Sequence, residues 1–434
     1  MDNLRLFSTE NEYDLAVEGF EYPTVSYIEA IDDVRYMLKP EYLTFEALEN
    51  GTFTLSIPAN VNSTYMTSVS YSTDDGENWT TTNVDDTAQT ITTPTINAGD
   101  KVLWKGVGKQ MTKSTYDNNF SYFSSTGNFN VSGNIMSLLY GDEFAKQVVF
   151  PSGSTYNFCY LFRNNNKLIS VENLILPATT LTKGCYQSMF SGCTSLATAP
   201  ILPVTTLANN CYQYMFQGCT SLTTAPVLPA TTLANSCYYY MFLNCTSLTT
   251  APELPATTLE GGCYSSMFKG CTSLTTAPVL PATTLASRCY QFMFEGCTSL
   301  TTAPELPATT LEGGCYSSMF KGCTSLTTAP ELPATTLVSN CYGNMFSGCT
   351  SLTTAPVLPA TTLTNSCYEY MFRGCSKLNY IKAMFTTEPS TTYTSNWVNG
   401  VKSTGTFVKN SAATWNVTGI HGIPTRWTVE TASA

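Results

Sequence analysis

Seventeen cysteines and a single histidine, His421, are the residues of this 434-residue chain that invite a chemical reading first. A thiolate is a nucleophile and a soft-metal ligand. Zinc sites built on thiolates need cysteines two to four residues apart, and no two cysteines here stand that close. One histidine excludes a His-based metal site and weighs against a His-dependent catalytic triad. The cysteines instead follow a rule. From Cys185 to Cys367 they recur every 26 residues, and each has a partner eight residues later, from Cys193 to Cys375. Cys159 is one step earlier, and its partner position is Lys167. The odd count therefore belongs to a worn terminal repeat, not to a spare reactive thiol. Eight helical residues rise about 12 Å, too far for a disulfide that needs Cα atoms within about 7 Å. Each cysteine is expected to be a small buried apolar residue in a stacked column.

Two further columns hold the candidate binding residues. Tyr214, Tyr240, Phe292 and Tyr370 share one repeat position with Ser188, Ser266, Ser318 and Asn344. Exposed aromatics stack on sugar rings or fill partner pockets; the alternative is ordinary surface variation. Glu253, Glu305 and Glu331 share another position with Ile201, Val227, Val279 and Val357. Paired carboxylates serve glycoside hydrolysis, but this column repeats with no distinct environment for an acid and a base. Residues 251–278 and 303–330 are identical, and copying a repeat would copy any catalytic residue in it. No catalytic residue, metal or cofactor is assigned, and the chain is expected not to be an enzyme.

The unit that must position these residues reads L-P-A-T-T-L-x-x-x-C-Y-x-x-M-F-x-G-C-T-S-L-T-T-A-P-x. Cys185, Met189 and Cys193 at i, i+4 and i+8 predict one face of a short helix, widened by Phe190. The glycine before the second cysteine suits a helix C-terminus. Leu-Thr-Thr-Ala predicts a short strand, halted at proline, which has no N–H for a ladder. One strand and one helix per repeat predict an α/β solenoid.

These repeats resemble BspA-like leucine-rich repeats, carried by M-F-x-G-C-T-S-L as in Met241-Phe242-Leu243-Asn244-Cys245-Thr246-Ser247-Leu248 and the Leu-Pro pair that follows. The resemblance covers residues 134 to about 434. It implies a capped leucine-rich-repeat solenoid and adhesion at a cell surface; similar repeats occur in phage proteins.

Residues 43–133 alternate Thr, Ser, Tyr and Val between turn signals at Asp75-Gly76, Asn97–Asp100 and Ser125–Asn128. This predicts a small antiparallel, Ig-like β-sandwich. Ser72-Thr73-Asp74-Asp75-Gly76-Glu77-Asn78-Trp79 resembles the Asp-box, a hairpin device, with Asn78 in place of Thr. Residues 134–158 are expected to link the sandwich to the repeats, with Ser137–Phe144 capping them. Residues 159–385 form about nine repeats, and 386–434 a C-terminal cap containing Trp415, Trp427 and a structural His421.

The charge is uneven. The chain carries −11 in total, and the first 50 residues alone carry −9. Residues 1–42 are expected to be an attachment segment. Tyr22-Pro23-Thr24-Val25-Ser26-Tyr27-Ile28 and Val34-Arg35-Tyr36-Met37 predict a hairpin around Asp32-Asp33 and resemble the opening of virion proteins of Bacteroides phages, crAss-like phages included. That resemblance implies particle attachment through Tyr22, Pro23, Val25, Tyr27 and Ile28. The start of the sequence has no signal-peptide pattern, which suggests folding in a reducing cytoplasm and a place in the virion. The partners expected are other virion proteins and a host surface protein or glycan. A homo-oligomer, trimeric as fibres commonly are, is also expected. The acidic balance argues against nucleic acid, and no run of about 20 apolar residues predicts a membrane span. A secreted bacterial adhesin is the alternative.

Overall fold

The computed structural model describes residues 4–7, 12–15, 41–59, 61, 64–112 and 120–432. Strands β1 (Leu4–Phe7) and β2 (Glu12–Leu15) pair antiparallel. Tyr22, Pro23, Val25, Tyr27, Ile28 and the hairpin expected at Asp32-Asp33 lie outside the described residues.

Alternating sequence in the next stretch gives strands with one buried face. They are β3 (Leu43–Ala47), β4 (Phe53–Ile57), β5 (Met66–Ser72), β6 (Thr80–Asn83), β7 (Gln89–Thr92), β8 (Lys101–Gly108), β9 (Tyr122–Ser125) and β10 (Phe129–Asn134). One sheet runs β10-β3-β8-β5-β6 and another β7-β4-β9, all antiparallel. Phe45 of the first meets Phe53 of the second, ring centroids 5.3 Å apart. The Asp-box segment closes the β5–β6 hairpin. Asp74 accepts hydrogen bonds from the Ser72 hydroxyl (2.6 Å), the Asn78 N–H (2.9 Å) and the Asn78 amide (2.7 Å). These bonds hold its carboxyl down at about 2. The Trp79 indole donates to the Gly76 carbonyl at 3.1 Å, so the motif folds a turn.

The repeats are built without the predicted helix. In the first full repeat, Gly184, Ser188 and Gly192 have φ of 61°, 54° and 77°, and in a later one Ser236, Tyr240 and Asn244 have 53°, 57° and 58°. A left-handed residue at every fourth position ends each turn before an i→i−4 bond forms. The backbone donors then split two ways. Cys185, Gln187 and Met189 donate three residues back, to Thr182, Gly184 and Tyr186 at 3.1–3.3 Å. Tyr186, Ser188 and Phe190 donate into the next repeat, to Cys211, Gln213 and Met215 at 2.8–3.0 Å. Cys185, Met189 and Cys193 do share a buried face, but through a four-residue turn period. The predicted Leu-Thr-Thr-Ala strand shrinks to isolated parallel bridges such as Thr224↔Thr250 and Thr250↔Thr276. Proline follows two residues later and stops the ladder. The repeats are thus turns and bridges, and the chain is mostly β with few helices; the α/β expectation is corrected.

Burial follows the turn period. Tyr186, Tyr212, Tyr238 and their successors to Tyr368 stack in one column, the first two 5.8 Å apart at 6°. Phe190, Phe216 and their successors to Phe372 stack in a second, 5.6 Å apart at 13° for the first pair. All 17 cysteines are buried and free. The thiols of the second cysteine column donate back to phenylalanine carbonyls one repeat earlier, as from Cys219 to Phe190 at 3.2 Å and from Cys245 to Phe216 at 3.0 Å. Glycine at the third corner serves the left-handed φ, 72° at Gly218; a Cβ there would make only an ordinary contact, 3.7 Å from the Gly192 Cα.

Both ends are joined to other elements. At the start, β10 pairs in parallel with β11 (Leu168–Ser170) and β12 (Leu174–Ile175). Phe123 stacks on Phe162, which stacks on Phe190. Ser137–Phe144, expected to cap the repeats, packs on the first sheet and also reaches the start of the repeats, the Tyr140 hydroxyl donating to the Val149 carbonyl at 2.9 Å. The Ser137 hydroxyl donates to the Trp104 carbonyl and accepts from the Leu43 N–H. β10 and Phe123 meet the first repeat beside it. At the far end, β13 (Tyr380–Ala383), β14 (Thr406–Lys409) and β15 (Thr428–Thr431) continue the parallel pairing. Trp397 closes both ring columns, 6.4 Å from Tyr368 and 6.0 Å from Phe372. His421 is structural, its Nδ1 accepting the Asn396 N–H at 3.0 Å. One contiguous core runs from Leu43 to Trp427.

Candidate functional site

The aromatic column sits on the second corner of each repeat. Tyr214, Tyr240, Phe292 and Tyr370 have φ of 58°, 57°, 58° and 52°, in the left-handed region that bulky residues avoid. Each is half-buried, so the rings are less free than the sequence suggested. They lean along the stack and onto neighbours. Tyr214 and Tyr240 stack at 5.0 Å and 7°. Tyr239 stands across both, 5.7 Å from Tyr214 and 4.1 Å from Tyr240, nearly perpendicular. Burial pushes the Tyr214 hydroxyl up to about 12, with the neighbouring Tyr240 and Tyr160 adding to it. Burial, then its bond with Tyr240, raises Tyr239 too. These hydroxyls stay protonated and act as donors and acceptors, not as bases.

Cations accompany the rings. The Lys269 ammonium lies 5.2 Å from the Phe292 ring centre, and the Arg373 guanidinium 5.4 Å from Tyr370. Glu295 joins two repeats, 2.7 Å from Lys269 and 2.9 Å from Lys321. Burial pushes its carboxyl up, but the bonds and charges of Lys269 and Lys321 outweigh that and hold it below its usual value.

Glu253, Glu305 and Glu331 are exposed, in the solvent-facing column with Ile201, Val227, Val279 and Val357. They lie on the Pro-x-Leu-Pro segment, apart from the aromatic corner. Burial keeps the thiols in their neutral form, raising Cys193 to about 12, so they are poor nucleophiles. Among the described residues no group of three or more His, Cys, Asp or Glu is placed to hold a metal, and no helix is long and apolar enough to cross a membrane.

Sequence reasoning missed Tyr239. The triplet Tyr238-Tyr239-Tyr240, which occurs once, was the available signal.

A family model described as the BspA type leucine rich repeat region matches residues 136–275 and 290–397 in six copies, more than half of the chain. No curated protein matches this sequence.

Proposed function

Because the chain belongs to the BspA-type leucine-rich-repeat family, we propose that it is a non-enzymatic display protein whose repeats adhere to a host surface protein or glycan. The observation that carries this is the aromatic column: tyrosines and a phenylalanine held half-exposed, at costly backbone angles, on corners braced by a hydrogen-bonded stack. The same left-handed φ recurs at Ser188, Ser266, Ser318 and Asn344, so what sets these four corners apart is the ring each carries toward solvent. In this reading residues 159–385 form a solenoid of about nine repeats. Residues 386–434 close it, 43–133 form an Ig-like β-sandwich at its head, 134–158 link the two, and 1–42 attach the molecule to its carrier.

The finer reading places that carrier in a phage virion. Its supports are the resemblance carried by Tyr22–Ile28 and Val34–Met37 and the charge of the first 50 residues, −9 of a total of −11, which suits docking on a basic platform. A homo-oligomer, trimeric as in many fibres, would multiply weak contacts. Two measurements test the proposal. Purified capsular polysaccharide is expected to bind the full chain, and binding should fall in Tyr214→Ala/Tyr240→Ala/Tyr370→Ala; equal binding removes the column from the account. Mass spectrometry of purified virions is expected to find the protein; its recovery only from bacterial envelopes would assign it to a cell-surface adhesin instead.

A further inference from the structure

Where the β-strand region meets the repeats, three more rings gather around an arginine. Tyr160 stands on the second corner of the worn repeat that precedes the first full one. Its φ is 65°, and its N–H donates to the Gln187 carbonyl as that of Ser188 donates to Gln213. Tyr160 precedes Ser188 by 28 residues, not 26, so a comparison by period passes over it. Its ring lies 4.4 Å from Phe120, and Phe120 lies 6.1 Å from Tyr122. Tyr122 is 39% exposed, and Phe120 and Tyr160 are half-buried.

Two parts of the chain supply these rings, and hydrogen bonds lock the parts together. The Thr112 hydroxyl donates to the Cys159 carbonyl and the Phe123 N–H to the Leu161 carbonyl, both at 2.8 Å. Thr112 in turn bridges to Phe120. A surface held this way loses little freedom on binding.

The Arg163 guanidinium lies 5.1 Å from the Tyr160 ring centre and 5.8 Å from that of Phe120. Contact with two ring faces holds a cation in place but uses none of its N–H donors. Lys269 and Lys321, farther along the repeats, are neutralised by Glu295. Among the described residues Arg163 has neither a carboxylate partner nor a hydrogen-bond acceptor. The guanidinium fork matches a carboxylate with two parallel hydrogen bonds. Three rings beside one such fork suit a small ligand that has an apolar face and a carboxylate. A protein partner would need about 800 Å² on each side, and the corner that follows is Ser188, which is buried.

We infer that this cluster binds an acidic sugar residue of a glycan. Arg163 takes the carboxylate, and the C–H face of the sugar lies on Phe120 and Tyr122. The inference rests on the adhesion reading and narrows it to a uronic or sialic acid at the head of the repeats.

The test is titration calorimetry of the full chain with oligogalacturonate, alginate oligosaccharides and sialyllactose, with the methyl ester of each, and with a polyglutamate peptide. At least one acidic saccharide is expected to bind, and its ester at least about tenfold more weakly. Arg163→Gln should weaken binding by a similar factor, Arg163→Lys by less, and Tyr122→Ala about three- to tenfold. Lys402→Ala, which removes an exposed charge at the far end of the chain, leaves it unchanged. Melting curves establish that each variant is folded, and Tyr122→Leu replaces the alanine variant if that one is not. Equal binding by the Arg163→Gln chain, equal binding of acid and ester, or tighter binding of the peptide than of any saccharide overturns the inference. So does the absence of binding by the unaltered chain to every acidic saccharide; adherence of that same chain to intact cells would then leave the adhesion reading standing alone.

Discussion

Cysteine is used here for a reason that spacing alone does not disclose. In the second column each sulfur fills a small apolar space and donates a hydrogen bond to a phenylalanine carbonyl one repeat earlier, at 2.9–3.2 Å. Burial raises these thiols, to about 12 for Cys193, Cys323 and Cys375 against an ordinary 9.0. The consequence for stability has a definite sign. The neutral thiol is favoured in the fold, so its contribution is complete below the unfolded value near 9 and is lost as pH rises from there toward 12. Stability in urea should therefore fall steeply above pH about 9, and a bulky thiol reagent at neutral pH should label the denatured protein and spare the native one. Substantial labelling of native protein would refute the packing. The second corner makes another residue-level prediction. At Tyr370, with φ of 52°, replacement by glycine relieves strain that replacement by alanine keeps. Tyr370→Gly should be the more stable of the two variants by about 1 kcal/mol in urea denaturation.

The repeat was legible in its period, its buried positions and its ends, and illegible in its local conformation. Cys185, Met189 and Cys193 fit a 3.6-residue helix and a four-residue turn equally well over so short a span. What decides between them is the donor of every other residue, such as Tyr186 bonding to Cys211 in the next repeat, and that partner is invisible until the repeats are stacked. The same holds for Thr224 and Thr250, whose single bridge looks like a strand in sequence. The Asp74 turn and the strands of residues 43–133 were readable because their signals are local. The aromatic column was found by comparing repeats, but Tyr239 was not, since its contacts with Tyr214 and Tyr240 exist only once the repeats are stacked. A bonding pattern that crosses repeats demands whole units. Deletion of residues 303–328, one 26-residue unit, should leave a folded, cooperative protein, whereas deletion of half that length should not fold; circular dichroism and a melting curve distinguish them. Within a unit, Phe268→Ala removes a fully buried ring stacked on both sides and should cost about 3–5 kcal/mol.

At the level of the molecule, two parts that differ in composition share one core. Phe123 of the β-strand region stacks on Phe162, and β10 pairs with β11, so the first repeat begins on an existing strand edge. Removal of residues 1–135 would bare that edge and the Phe162 face, and bared edges recruit other strands. The truncated chain should associate, as light scattering behind size-exclusion chromatography will show; a well-behaved monomer would mean that β10 is dispensable. The long buried stack makes the corners rigid, and rigidity at an aromatic surface lowers the entropy lost on binding. The most direct measurement is the binding isotherm of the fluorescently labelled full chain on intact bacterial cells, set against the chain with Tyr214, Tyr240, Phe292 and Tyr370 all changed to alanine and shown to be folded. The altered chain is predicted to bind at least about tenfold more weakly, and an isotherm that overlays the unaltered one would contradict adhesion through this surface.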